Sequence, residues 1–181
     1  IKIAESRSFP YEKEKWETVR DEIFLSIYND FWNEDVQAFV QYKGSTAIDA
    51  SALMMPLRNF ISPAESKWAK TMDAIARELR TDVLIYRYNN KLTNVDGLDD
   101  QEGTFTMCSF WYVECLAKGG HVEEARELFE KLLSYTNHLG LFSEEIGARG
   151  EQLGNYPQAF THLGLISAAM TLNELLEKRG K

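Results

Sequence analysis

Glu144 and Glu145 stand side by side in residues 141–162, between a helix expected to end near Gly140 and another expected to begin near Pro157. A carboxylate at such a junction can face a cavity and take a proton from a bound water, which is the work of a general base. The Gly, Asn, Pro and Gln residues around the pair shape a loop, and loops held on rigid helices are where catalytic groups concentrate. The competing reading is plain: adjacent glutamates are most often solvated surface charge. Other polar residues stand out beside the pair. Arg87 sits between two tyrosines at the end of an apolar stretch and offers five donors in a fixed fork. One use of that fork is an ion pair with Asp96, Asp99 or Asp100. Glu102 opens a Glu-Gly-Thr-Phe string where a helix is about to begin, and the dipole of that helix favours a carboxylate there.

The elements that must position these groups read as successive helices. Residues 11–28 carry Trp16, Val19, Ile23 and Ile27 at three-to-four spacing, an amphipathic stripe. Residues 31–42 read as a short extended segment or hairpin, followed by a turn at Lys43, Gly44 and Ser45. Asp49 is placed to cap a short helix over 50–55, and Pro56 belongs at its end or at a kink. Ser62, Pro63 and Glu65 have the form of a helix start, with the helix running to about Leu79. Residues 83–88 are strand-like and 89–101 a polar loop. Residues 105–117 are apolar nearly all round, hence a buried helix, and Lys118, Gly119 and Gly120 stop it. The charged helix over 122–135 turns Val122, Ala125, Leu128, Phe129 and Leu132 inward, and a last helix from Pro157 to about Glu177 turns Leu163, Ile166, Met170, Leu172 and Leu175 inward. A buried helix, a charged one and another apolar one in succession suit concentric layers. The expected fold class is all-α, an α/α toroid, with about six helices making half of a twelve-helix ring.

Composition narrows the function. The 181 residues suffice for one well-buried core, and 44% hydrophobic with 12% aromatic content belongs to a globular chain. A net charge of -8 and a pI near 5.0, with no Lys/Arg cluster, argue against nucleic acid. The apolar runs fall short of the roughly 20 residues of a membrane helix. The first residues lack a signal-peptide core and read as the interior of a longer chain. Cys108 and Cys115, seven residues apart on one expected helix, lie roughly 10 Å apart, too far for a disulfide. They read as small buried hydrophobes in a reducing, cytoplasmic setting. No metal or cofactor site is legible.

Three strings in order resemble glycoside hydrolase family 15, the family of glucoamylases, glucodextranases and a group of microbial trehalases. They are residues 102–111 (Glu-Gly-Thr-Phe-Thr-Met-Cys-Ser-Phe-Trp), 140–146 (Gly-Leu-Phe-Ser-Glu-Glu-Ile) and 154–162 (Gly-Asn-Tyr-Pro-Gln-Ala-Phe-Thr-His), with residues 48–51 and 86–88 in matching order. The resemblance implies an (α/α)6 toroid whose inner helix ends frame a sugar pocket. It also implies hydrolysis of an α-linked glucoside with inversion, using one carboxylic acid and one carboxylate. The family's base falls on Glu144, with Glu145 its neighbour pointing elsewhere. Arg87, Glu102, Tyr88, Gln158 and Glu145 become candidates for sugar contacts, with Tyr42 beside a loop. Trp111 and His162 read as core residues, and Asp49 as a cap. The family's general acid belongs to an upstream Trp-Glu motif. Trp16-Glu17 and Trp32-Asn33-Glu34 stand at the wrong place in the order, so the acid is expected to be absent from this chain.

The chain then corresponds to the C-terminal half of a catalytic domain, inactive alone, with an oligosaccharide or disaccharide substrate. It is expected to self-associate or pair with the missing N-terminal half through exposed apolar faces. Gly147-Ala148-Arg149 departs from the family's usual Asp and Pro. A glucoamylase-like activity is the leading expectation and a trehalase the nearest competitor. A non-catalytic helical scaffold is the rival of another class. It requires a repeat near 34 residues, which the sequence lacks.

Overall fold

The structure is a computed structural model that describes residues 1–89 and 102–179. Its helices are α1 (Lys2–Ser6), α2 (Lys13–Asp30), α3 (Met54–Leu57), α4 (Ser66–Glu78), α5 (Thr106–Lys118), α6 (Val122–Leu133) and α7 (Ala159–Arg179). Between them lie seven strands of two residues each: β1 (Trp32–Asn33), β2 (Ala38–Phe39), β3 (Arg80–Thr81), β4 (Leu84–Ile85), β5 (Thr104–Phe105), β6 (Glu145–Ile146) and β7 (Gln152–Leu153). The chain is helix-rich, as expected.

Helix α5 is the axis of the packing. Thr106, Ser109, Phe110 and Val113 are fully buried and Cys108, Tyr112 and Cys115 nearly so, against α6 and α7. Gly120, at φ +95, ends the element in a conformation that a side chain would strain. Helix α6 turns Val122, Ala125, Leu128 and Leu132 inward as its pattern predicts, with Phe129 half-buried. It ends at Leu133, so the chain from 134 to Gly140 is turn rather than the helix expected to reach Gly140.

Helix α7 meets its expected pattern only at Leu172 and Leu175. Leu163, Ile166 and Met170 are 60%, 53% and 61% exposed, and the buried residues are Thr161, Gly164, Ala168 and Leu172, with Leu175 partly covered. The reason is steric. Small residues let the backbone of α7 approach α5, and a Cβ added at Gly164 would already lie 3.4 Å from Phe110 Cβ. An apolar sequence with apolar residues on both faces does not say which face is covered. The small face is covered here. Glu114, 5% exposed, pins the same interface: its two oxygens accept Ser167 Oγ at 2.7 Å and Thr171 Oγ1 at 3.0 Å, with Lys118 Nζ 3.5 Å away.

The stripe on α2 is real but uncovered. Trp16, Val19 and Ile23 are 44%, 47% and 54% exposed and no residue of the helix is buried. Only its end meets the body, through Phe24 against Phe60 and Tyr28 against Phe39. The expected hairpin forms as β1 against β2, and the Tyr42–Ser45 turn follows it. Phe39 N–H donates to Thr71 Oγ1, tying β2 to α4.

Helix α4 begins at Ser66, four residues after Ser62. Ser62 instead closes a local turn by accepting Ala64 N–H, since its own short-range bond competes with capping. Asp49 does cap. Its Oδ1 accepts Ser51 N–H at 2.7 Å ahead of a 3-10 turn, Ala50–Leu53, which runs into α3 with Pro56 inside. The strand-like 83–88 stretch contributes β4, paired with β3, and Tyr88 bridges to Asp49.

The three-stranded sheet β5-β6-β7 was not anticipated. Its strands are too short to show the alternation over four to eight residues that marks a strand in sequence. Among the described residues no helix is long and apolar enough to cross a membrane.

Candidate active site

Glu144 immediately precedes the middle strand of that sheet, and its backbone continues the pairing on both sides. Thr106 N–H, the first of α5, donates to Glu144 O at 3.0 Å, and Glu144 N–H donates to Asn155 O at 2.9 Å. The preceding residues are tied as well. Phe142 N–H points at His162 Nε2, Ser143 N–H donates to Gln152 Oε1, and Thr161 Oγ1 donates to Ser143 O. His162 Nδ1 lies 2.8 Å from Gln158 O, so the ring bridges two backbone groups as a core histidine does. What reads as a loop is therefore held by α5, α7 and the sheet together. The sequence around Glu144 is irregular but not free.

The Glu144 side chain is half-buried and opens onto a cleft of about 230 Å³ lined also by Ser51, Arg87, Trp111, Gln158 and Phe160. Its Oε2 accepts two hydrogen bonds from one residue, Asn155 N–H at 3.0 Å and Asn155 Nδ2 at 2.9 Å. The chain can pass this close only because Gly154, at φ +71, has no side chain: a Cβ there would sit 2.8 Å from Glu144 Oε2. Cys108 forms part of the cleft floor, its thiol pushed up to about 12 by burial, with Asp49 adding to the rise and Arg87 opposing it. It is a poor nucleophile in that state, because the thiolate is the reactive form.

Glu145 points away from its neighbour. Its Oε2 accepts Gly103 N–H at 2.8 Å, and Gly103 is itself tightly seated, since a Cβ would fall 2.8 Å from Ile146 O. Desolvation raises the Glu145 carboxyl above its ordinary value, opposed by the Gly103 bond, and the charges of Glu102 and Glu144 push it further up. A carboxyl raised on folding binds more protons in the native than in the unfolded state. Its contribution to stability is therefore full below the ordinary carboxylate value and is lost as pH rises through the raised one. Glu145→Gln keeps an acceptor for Gly103 N–H and removes the charge. The expected outcome is that thermal melts between pH 4 and 8 show the parent losing stability relative to this variant as pH rises. A parallel dependence would contradict it.

The remaining candidates separate. Arg87 and Gln158 line the cleft with Glu144. Gln158 Oε1 also accepts Phe160 N–H at the start of α7. Tyr88 is 9% exposed, with the Arg87 guanidinium carbon 5.6 Å from its ring centroid, and is not among the cleft's lining residues. Tyr42 is 56% exposed and away from the cleft. Trp111, read as core, is half-buried and contributes a wall of the cleft as well. Glu102 is half-buried ahead of β5, not in the first turn of α5, so the helix-dipole argument does not apply to it. The expected ion-pair partners of Arg87 lie outside the described residues. Asn155 was missed as a partner of Glu144, although it stands inside a quoted string. The contact crosses a turn, and no spacing rule reveals it. Among the described residues no group of three or more His, Cys, Asp or Glu side chains is arranged to hold a metal ion.

Known proteins resemble this chain in sequence and in fold. The profile of glycosyl hydrolases family 15 matches residues 1–170, and the chain belongs to that family. Its relatives include a protein named trehalase from Thermoplasma volcanium, 38% identical over 180 residues, covering 99% of this chain and 28% of that protein. Another trehalase, from Mycobacterium tuberculosis, is 42% identical over 170 residues, covering 93% of this chain and 25% of that protein. The chain thus spans about a quarter of the length of these relatives. A solved glycosidase superposes with a TM-score of 0.75 at 18% identity, over 92% of this chain and 46% of that one, as does a form of it in complex with glucose. The likeness establishes the fold.

Proposed function

We propose that this chain is the C-terminal part of the catalytic domain of an inverting glycoside hydrolase, with Glu144 as its general base. The observation that carries the reading is the placement of that carboxylate. It opens onto a cleft beside Arg87 and Gln158 while one of its oxygens is held by Asn155. In the proposed reaction a water oxygen attacks the anomeric carbon and Glu144 takes the water proton. The bond from that carbon to the glycosidic oxygen breaks as a carboxylic acid across the sugar, about 6.5–9.5 Å away, protonates the departing oxygen. The anomeric configuration inverts. Arg87 and Gln158 donate to sugar hydroxyls, Tyr88 backs Arg87, and Glu102 and Glu145 form an acidic flank behind the base. The acid comes from the remainder of a longer polypeptide, so the chain alone is inactive.

The same reading closes the fold. The outward apolar faces of α2 and α7 are those that further helices of an (α/α)6 toroid cover, and the glycosidase neighbour has more than half its chain beyond the matched part. We assign those faces to the N-terminal half of the same polypeptide, in preference to self-association.

For substrate, the relatives' names favour the diglucoside trehalose over the longer α-glucans of a glucoamylase-like enzyme. The cleft of about 230 Å³ also falls below the roughly 300–1,000 Å³ typical of drug-sized ligand sites, which suits a single sugar ring on this side. The full-length protein is expected to release glucose from trehalose faster than from maltose or longer α-glucans, followed by coupled glucose assay. A preference for the glucans restores the glucoamylase-like reading. Release from neither contradicts both.

A further inference from the structure

We infer that Asn155 is the positioning residue of Glu144, a role that rests on Glu144 being the base: it holds Oε2 and leaves Oε1 to meet the attacking water. Three bonds join the two residues. Glu144 N–H donates to Asn155 O at 2.9 Å, Asn155 N–H donates to Glu144 Oε2 at 3.0 Å, and Asn155 Nδ2 donates to the same oxygen at 2.9 Å. Two donors converging on one oxygen fix both the side-chain rotation and the identity of the free oxygen. A carboxylate with neither oxygen held rotates between equivalent poses, only some of which aim a lone pair at the water. Misplacement by about 1 Å costs on the order of a hundredfold in rate.

The surroundings are shaped to this contact. Gly154 is bare where any side chain would strike Glu144 Oε2 at 2.8 Å, and its φ of +71 turns the next peptide N–H toward that oxygen. Beyond Asn155 the chain enters α7 through Gln158, whose N–H donates to Phe142 O, so the segment that carries the donor is tied a second time to the segment that carries Glu144. Asn155 touches neither the sugar nor the water in this account. It acts through Glu144.

The test uses the full-length protein with Asn155→Ala, Asn155→Asp, Asn155→Ser and, beside them, Glu144→Gln. Asn155→Ala keeps the backbone donor and loses the amide, and should lower kcat by about ten- to a hundredfold, the worth of one hydrogen bond to a charged group. KM should stay within roughly threefold, because binding of the ground-state sugar does not use the contact. Asn155→Asp keeps the shape but sets a like charge against Oε2, and should be slower than Asn155→Ala. Asn155→Ser, with a shorter donor, should fall between the parent and Asn155→Ala. In a Glu144→Gln background, Asn155→Ala should add little further loss.

If Glu144→Gln abolishes turnover while the Asn155 variants retain the parental kcat, this inference fails and the assignment of the base stands. If Glu144→Gln retains turnover, the assignment of the base fails. A loss of kcat in all three Asn155 variants that follows only a common fall in melting temperature marks a structural role and also overturns the inference.

Discussion

Glu144→Gln in the full-length protein is expected to reduce kcat for α-glucoside hydrolysis by about 10²–10⁴-fold, the usual contribution of a positioned general base. KM should change little and the thermal melt should not move. The substitution preserves the shape and the acceptor oxygen that Asn155 N–H and Nδ2 hold, so the local hydrogen bonds persist. What disappears is the capacity to take a proton from water. The half-buried setting makes this separable from folding, since Glu144 is not part of the apolar core. Glu145→Gln is the control. That carboxylate faces Gly103 N–H rather than the cleft, and its loss should affect turnover far less. Retained activity in Glu144→Gln with loss in Glu145→Gln would exchange their roles.

Phe110→Ala is expected to destabilise the chain by about 3–5 kcal/mol, the range for removing a buried aromatic ring from a packed core. For a cooperative unit of roughly 150–250 residues each kcal/mol lowers the melting temperature by about 2–4 °C, so calorimetry reads the effect directly. Phe110 is fully buried, its ring edge-on to Phe142 at 5.2 Å and tilted against Phe129 at 5.9 Å. Phe142 precedes Ser143 and Glu144, so the cavity opens beneath the segment that carries the proposed base. Phe110→Leu should recover much of the stability by refilling volume. A melt unchanged by Phe110→Ala would mean that α5, α6 and α7 do not meet as described.

The parts of this structure that were legible in the sequence are those written in local pattern. Helix α5 was legible because apolar residues surround it and two glycines stop it, and α6 because its inward face is a regular stripe between charged residues. Asp49 was legible as a cap because its bond reaches only two residues along the chain. Helix α7 was misread for a physical reason: Leu163, Ile166 and Met170 promise burial by their hydrophobicity, whereas close approach to α5 selects Gly164 and Ala168. The stripe on α2 was read correctly as apolar, but which of the expected apolar faces stay uncovered was not legible, since a pattern states that a partner is wanted and not that this chain supplies it. The sheet that presents Glu144 was hidden by its brevity, and the Asn155 contact by its passage across a turn. The proposal of Glu144 as base rests on the order of three strings in the sequence, not on any property of two adjacent glutamates.

The most direct test of the central claim is chemical rescue of Glu144→Ala in the full-length protein. Deleting the side chain opens space where the activated water stood, and added azide, which needs no base, can attack the anomeric carbon from that side while the acid still protonates the departing oxygen. Azide is expected to restore turnover of an α-glucoside, with NMR identifying the product as β-glucosyl azide. Absence of rescue, or formation of the α-azide, would contradict the assignment of Glu144 as the residue that delivers water to the far face of the sugar.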